Sequence, residues 1–103
     1  MKEIKAYIRS NRTDSVVDAL ATVPHLPGIA MVALKEVGHP ARSDELATVD
    51  MVKLELDVGD DQVGVVIETL LQSARTGDGH PGDGKIYISE VPTAVDIATG
   101  ESL

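Results

Sequence analysis

Two stretches of this chain alternate apolar and polar residues one for one, and each gives way to apolar residues at helical spacing. Few folds accept that order twice. In Lys2–Arg9, Ile4, Ala6 and Ile8 share one face and Lys5, Tyr7 and Arg9 the other, the mark of a half-buried strand. Asn11, Thr13 and Asp14 offer capping side chains, and Val16, Val17, Ala19, Leu20 and Val23 follow at helical spacing. The run Pro24-His25-Leu26-Pro27-Gly28 stops that helix, with His25 as a turn residue. Ile29 to Val37 is almost continuously apolar, which predicts a second strand buried on both faces. From Met51 to Val58 the alternation returns, with Val52, Leu54, Leu56 and Val58 on one side. Asp60 and Asp61 are placed to cap a second helix, whose buried stripe is Val63, Val66, Ile67, Leu70, Leu71 and Ala74. Lys85 to Val91 is a fourth strand, and after Pro92 only Val95 and Ile97 form a further apolar stripe. The order β-α-β-β-α-β with right-handed crossovers is the α+β ferredoxin-like sandwich, a four-stranded antiparallel sheet with two helices on one face. Residues 1–103 make one domain.

That fold hosts many unrelated activities, so composition must narrow the function. Tyr7 and Tyr87 are the only aromatic residues, which leaves an aliphatic core and no platform for stacking bases. With no cysteine there is neither a disulfide framework nor a thiolate nucleophile. The net charge of −8 is concentrated after residue 43, where three Lys/Arg face thirteen Asp/Glu. Such a chain repels nucleic acid, whose binding depends on neutralising phosphates. No apolar run approaches the ~18 residues of a spanning helix, and the first residues lack a signal-peptide core. These features predict a cytoplasmic protein with no membrane insertion and no nucleic-acid partner.

Two loops remain to carry chemistry. Gly38 to Val49 has no periodicity, and at about twelve residues it is long enough to suspect function. The second is Ala74-Arg75-Thr76-Gly77-Asp78-Gly79-His80-Pro81-Gly82-Asp83-Gly84-Lys85. Its glycines permit backbone conformations that aim successive amides into one concavity, a nest for anionic oxygens, with Lys85 as an adjoining cation. It is not a P-loop, because Gly84-Lys85 is followed by neither Ser nor Thr and a strand follows where a helix would. An anion cradle and an ordinary helix-to-strand turn both fit the residues. His39, Asp44, Glu45 and His80 are the conceivable metal ligands, but no paired-histidine spacing exists and solvated loops account for them. No nucleophile has a base in sequence reach, so no enzyme is expected.

Ala74-Arg75-Thr76-Gly77 and Gly82-Asp83-Gly84-Lys85-Ile86-Tyr87 resemble the C-terminal signature of the PII signalling proteins, and Thr99-Gly100-Glu101 resembles that family's tail. Met1-Lys2-Glu3-Ile4-Lys5-Ala6, Pro27-Gly28 and Asp60-Asp61-Gln62-Val63 fall in matching order. The resemblance implies a homotrimer with adenine-nucleotide sites between subunits, lined by Gly82, Asp83, Gly84 and Lys85 with Gly38 at the base of the signalling loop. It further implies that this loop, between strands two and three, reports the bound state to a target protein such as a membrane transporter. Several positions depart from the family pattern. The spacer Asp78-Gly79-His80-Pro81 is longer by two residues, and the short signalling loop has no tyrosine to modify. No glutamine for magnesium and 2-oxoglutarate stands near Gly38-His39-Pro40, and the strand-three lysine is replaced at Met51. Two phosphate-gripping arginines of the last strand fall at Asp96 and Ala98, with Arg9, Arg12, Arg42 or Arg75 as candidates to compensate. The expected ligand is therefore AMP or ADP in preference to ATP, or an unrelated anion, and no metal is assigned. Two other readings share the trimeric architecture: a metal-responsive trimer resembling CutA-type proteins, and an adaptor without ligand.

Overall fold

The structure, a computed structural model, describes residues 1–38 and 44–103. Strand β1 (Lys2–Arg9) leads through a 3-10 turn at Ser10–Arg12 into helix α1 (Thr13–Leu20). Strands β2 (Ala30–Gly38) and β3 (Ala47–Val58) follow, then a 3-10 turn at Asp60–Gln62, helix α2 (Val63–Ala74) and strand β4 (Gly84–Glu90). The sheet runs in the order β2-β3-β1-β4 with every neighbour antiparallel, the expected ferredoxin-like sandwich. Among the described residues no helix is long and apolar enough to cross a membrane.

The alternation in β1 decides the core. Ile4 lies between Leu56 and Ile88, Ala6 between Leu54 and Ile86, and Ile8 beside Val52. Apart from Ile88, which is exposed and outside the cluster, these side chains meet Val16 and Leu20 of α1 and Val66 and Leu70 of α2 in one aliphatic cluster, all of them buried except the partly buried Ile86. The opposite face carries half-buried charge, with Lys53 Nζ 2.8 Å from Glu55 and Lys5 Nζ 3.4 Å from Glu3. Met51 is an exception there. By register it stands beside Arg9 and Leu34 on the helix-free face, yet it is 1% exposed and outside the core cluster.

Three expectations are corrected. The second strand is not buried on both faces; β2 is an edge strand with Met31, Val32 and Val37 exposed. A continuous apolar run cannot distinguish a central strand from an edge. Neither helix takes a side-chain cap: each is entered through a 3-10 turn, and the Gly59 amide donates to Oε1 of Gln62 at 3.3 Å. Asp60 instead lies 3.3 Å from the Met1 amino group and 3.6 Å from Lys2 Nζ. The loop between β2 and β3 is also shorter than read, since pairing continues to Gly38 and Ala47. His25 does occupy a turn, with a φ of 63°.

Replacing Leu54 with Ala removes a fully buried side chain from this cluster. Urea unfolding is expected to show a loss of about 2–5 kcal/mol. Val65→Ala, on the exposed side of α2, changes it by less than about 0.5 kcal/mol.

Candidate functional site

The glycine-rich loop is organised around one carboxylate. Oδ2 of Asp83 accepts from the amides of His80 at 2.7 Å and Thr76 at 3.1 Å, and Oδ1 accepts from Arg9 Nε at 3.0 Å. Arg9 Nη2 donates to the Pro81 carbonyl at 3.1 Å, tying the loop to the end of β1. Two backbone turns close it, from the Gly79 amide to the Thr76 carbonyl and from the Asp83 amide to the His80 carbonyl, each 3.0 Å. Gly77, Gly79, Gly82 and Gly84 all have positive φ, so the chain reverses where side chains are absent. The concavity that the sequence suggested for an external anion thus already surrounds Asp83. Hydrogen bonds from the His80 and Thr76 amides, with Arg9 adding to them, hold that carboxyl far below its ordinary range.

Gly84 fixes where the loop ends. A Cβ there would lie 1.8 Å from the Tyr7 carbonyl oxygen, so the position admits no side chain while β4 pairs with β1. The next residue, Lys85, turns onto the helix-free face. Its ammonium lies 5.1 Å from the Tyr7 ring centre and 5.8 Å from that of Tyr87, with the two rings edge to face at 6.0 Å. The same ammonium donates to Oε1 of Glu36 on β2 at 3.4 Å. Tyr87 first and then Glu36 raise the pKa of Lys85.

Beside the loop, between α2 and β4, is a cleft of about 340 Å³. Ile67, Leu70, Leu71, Ala74, Ile86 and Ile88 make it aliphatic, while Arg75, Asp83, Gly84 and Lys85 border it. Arg75 has no hydrogen bond or ion pair among the described residues. The other candidates to supply charge are engaged: Arg9 on Asp83, and Arg12 on the Ser73 carbonyl through Nη2 at 2.8 Å. Arg42 and His39 lie outside the described residues.

Of the residues named from sequence, Gly82, Asp83, Gly84 and Lys85 form one continuous corner, whereas a Cβ at Gly38 would meet nothing within 4 Å. Glu36 was not foreseen as part of the corner. It stands 49 positions from Lys85 in the chain and on the opposite edge of the sheet, so no local pattern marks it. Asp96 serves its own tail, accepting from the amides of Ala98 at 2.7 Å and Thr99 at 3.2 Å. Among the described residues, no group of three His, Asp or Glu side chains is arranged to hold a metal, with Asp44, Glu45 and His80 included in that search.

A family model described as nitrogen regulatory protein P-II matches residues 1–101. The chain is 38% identical to nitrogen regulatory protein P-II 2 of Methanothermobacter thermautotrophicus, over 99% of this chain and 93% of that protein. Nitrogen regulatory protein P-II of Bradyrhizobium diazoefficiens is also 38% identical, over 99% and 96%. For P-II 1 of Escherichia coli K12 the identity is 36%, over 98% and 95%.

The depressed pKa of Asp83 has a definite consequence in acid. Its contribution to stability is complete above the unfolded carboxylate value of about 3.9 and is lost as pH falls through the lower folded value. An NMR acid titration of the His80 amide should show a midpoint well below that of an ordinary aspartate. In Asp83→Ala, exchange of the Thr76 and His80 amides should quicken at least tenfold while core amides of β1 stay protected.

Proposed function

This chain belongs to the nitrogen regulatory protein P-II family, and from that premise we propose that it is a trimeric regulator that binds an adenine nucleotide, AMP or ADP in preference to ATP, and controls a target protein such as a membrane transporter. The observation that carries the nucleotide reading is the junction of an aliphatic cleft with a cationic, glycine-rich corner. A cleft of this size, with few polar groups gathered at one end, suits a flat ring whose charged tail points to that end. Lys85 and Arg75, which both border the cleft, supply the cations for that tail.

Preference for fewer phosphates follows from the charges that are absent or engaged. Asp96 and Ala98 replace the arginines of the resembling family, and Asp96 is fixed in the tail turn. Arg9 and Arg12 are held by Asp83 and the Ser73 carbonyl, so Arg75 is the free guanidinium among the described residues. Each further phosphate adds charge that this corner cannot neutralise. Two acidic residues are engaged within the chain: Asp83 shapes the loop, and Asp60 sits on the Met1 amino group and Lys2. A regulator, not an enzyme, is the reading this supports.

Assembly as a trimer is supported by what a single copy leaves open. Both edge strands, β2 and β4, are exposed, and Tyr87, Val32 and Val49 stand uncovered on the helix-free face. The short loop between β2 and β3 is the element that contacts the target.

Calorimetric titration of AMP, ADP and ATP tests the ligand. AMP or ADP should bind more tightly than ATP, Lys85→Gln should weaken that binding at least tenfold, and 2-oxoglutarate with magnesium should leave ATP affinity within a factor of ten. Equal or tighter binding of ATP would reverse the preference. Light scattering should give three times the chain mass at micromolar concentration, and a monomer mass would remove the intersubunit site.

A further inference from the structure

The contact between Lys85 and Glu36 joins opposite edges of the sheet. Lys85 is on β4 and Glu36 on β2, with β1 and β3 between them. In a flat sheet three strand spacings separate such edges, about 14 Å. Their charged groups are nevertheless 3.4 Å apart, because the two long side chains reach toward each other across the helix-free face, with Lys85 also over Tyr7. Both side chains remain about half exposed, at 50% and 46%. An exposed pair of this kind contributes little to stability. What it does is place a carboxylate of the chain on the ammonium that borders the glycine-rich loop.

We propose that Glu36 is a built-in competitor for the anion site: it holds Lys85 in the ligand-free protein, the phosphate of the ligand displaces it, and its release carries the bound state to the base of the β2–β3 loop. The inference rests on the reading of Lys85 as a phosphate contact. Glu36 lies two residues before Gly38, where β2 meets that loop, and on β2 its neighbour Lys35 is tied to Asp50 at 2.7 Å. A ligand oxygen and the Glu36 carboxylate cannot share one ammonium without like-charge repulsion. Binding at the loop corner therefore frees the end of β2. By linkage, a target that holds Glu36 on Lys85 weakens the ligand, and one that takes up the freed strand end strengthens it.

ADP titrated into the full chain, its Glu36→Gln and Lys85→Gln variants and the double variant tests this by calorimetry. Circular dichroism melts verify that each variant folds, as expected for exposed positions. Glu36→Gln should tighten ADP at least fivefold, and in the Lys85→Gln background the same change should have less than a twofold effect, because the competitor acts through Lys85. Hydrogen exchange of the Ala30–Gly38 peptide should rise on adding ADP to the wild-type chain and should be raised already, without further increase, in Glu36→Gln. If Lys85→Gln weakens ADP but Glu36→Gln leaves it unchanged or weakens it, the competitor is refuted while the phosphate site stands. Equal responses of the two chains in hydrogen exchange would refute the transmission to the loop. If Lys85→Gln has no effect, or no variant takes up ADP, the site reading fails and this inference with it.

Discussion

Strand β4 can pair with β1 only by placing a residue without a side chain against the Tyr7 carbonyl, and Gly84 is that residue. This single close approach sets the register of the edge strand, and the register sets everything around the corner. One residue earlier, Asp83 comes within reach of Arg9 at the end of β1; one residue later, Lys85 comes over the Tyr7 ring. A slip by one position would exchange the two faces, sending Lys85 toward α2 and Ile86 and Ile88 away from it. The cleft, the loop and the cation thus share a common origin in one missing methyl group.

The second governing feature is how an acidic chain distributes few cations. Lys2 meets Glu90 and Asp60, Lys5 meets Glu3, Lys35 meets Asp50 and Lys53 meets Glu55. Arg9 and Lys85 are paired with Asp83 and Glu36. With Arg12 on a carbonyl, Arg75 is the one described Lys or Arg whose charge faces solvent without a polar partner. Among the described residues, an anion can meet Arg75, exploit backbone amides or replace an internal carboxylate.

Much of this was legible before the structure. Alternation in β1 and β3 gave the core face residue by residue, because each strand has one face on the helices and one without cover. The glycine-rich corner was legible too, since positive φ angles leave a compositional trace. Features that depend on distant partners were not. Ile29 to Val37 has the composition of a central strand although β2 is an edge, and the acidic pair at Asp60-Asp61 has that of a helix cap although Asp60 faces the Met1 amino group. The role of Asp83 was half seen: its position beside the nest was evident, but that the nest would close on it depended on Arg9, 74 residues away. Glu36 was invisible for the same reason, as its partner Lys85 is 49 residues away on the opposite edge of the sheet.

The loop that carries its own anion has an evolutionary corollary. The Asp83 carboxylate fills the cradle, and the amides of Thr76 and His80 are satisfied from within the chain. Exchanging one effector for another, or losing it, would leave these internal hydrogen bonds of the corner in place.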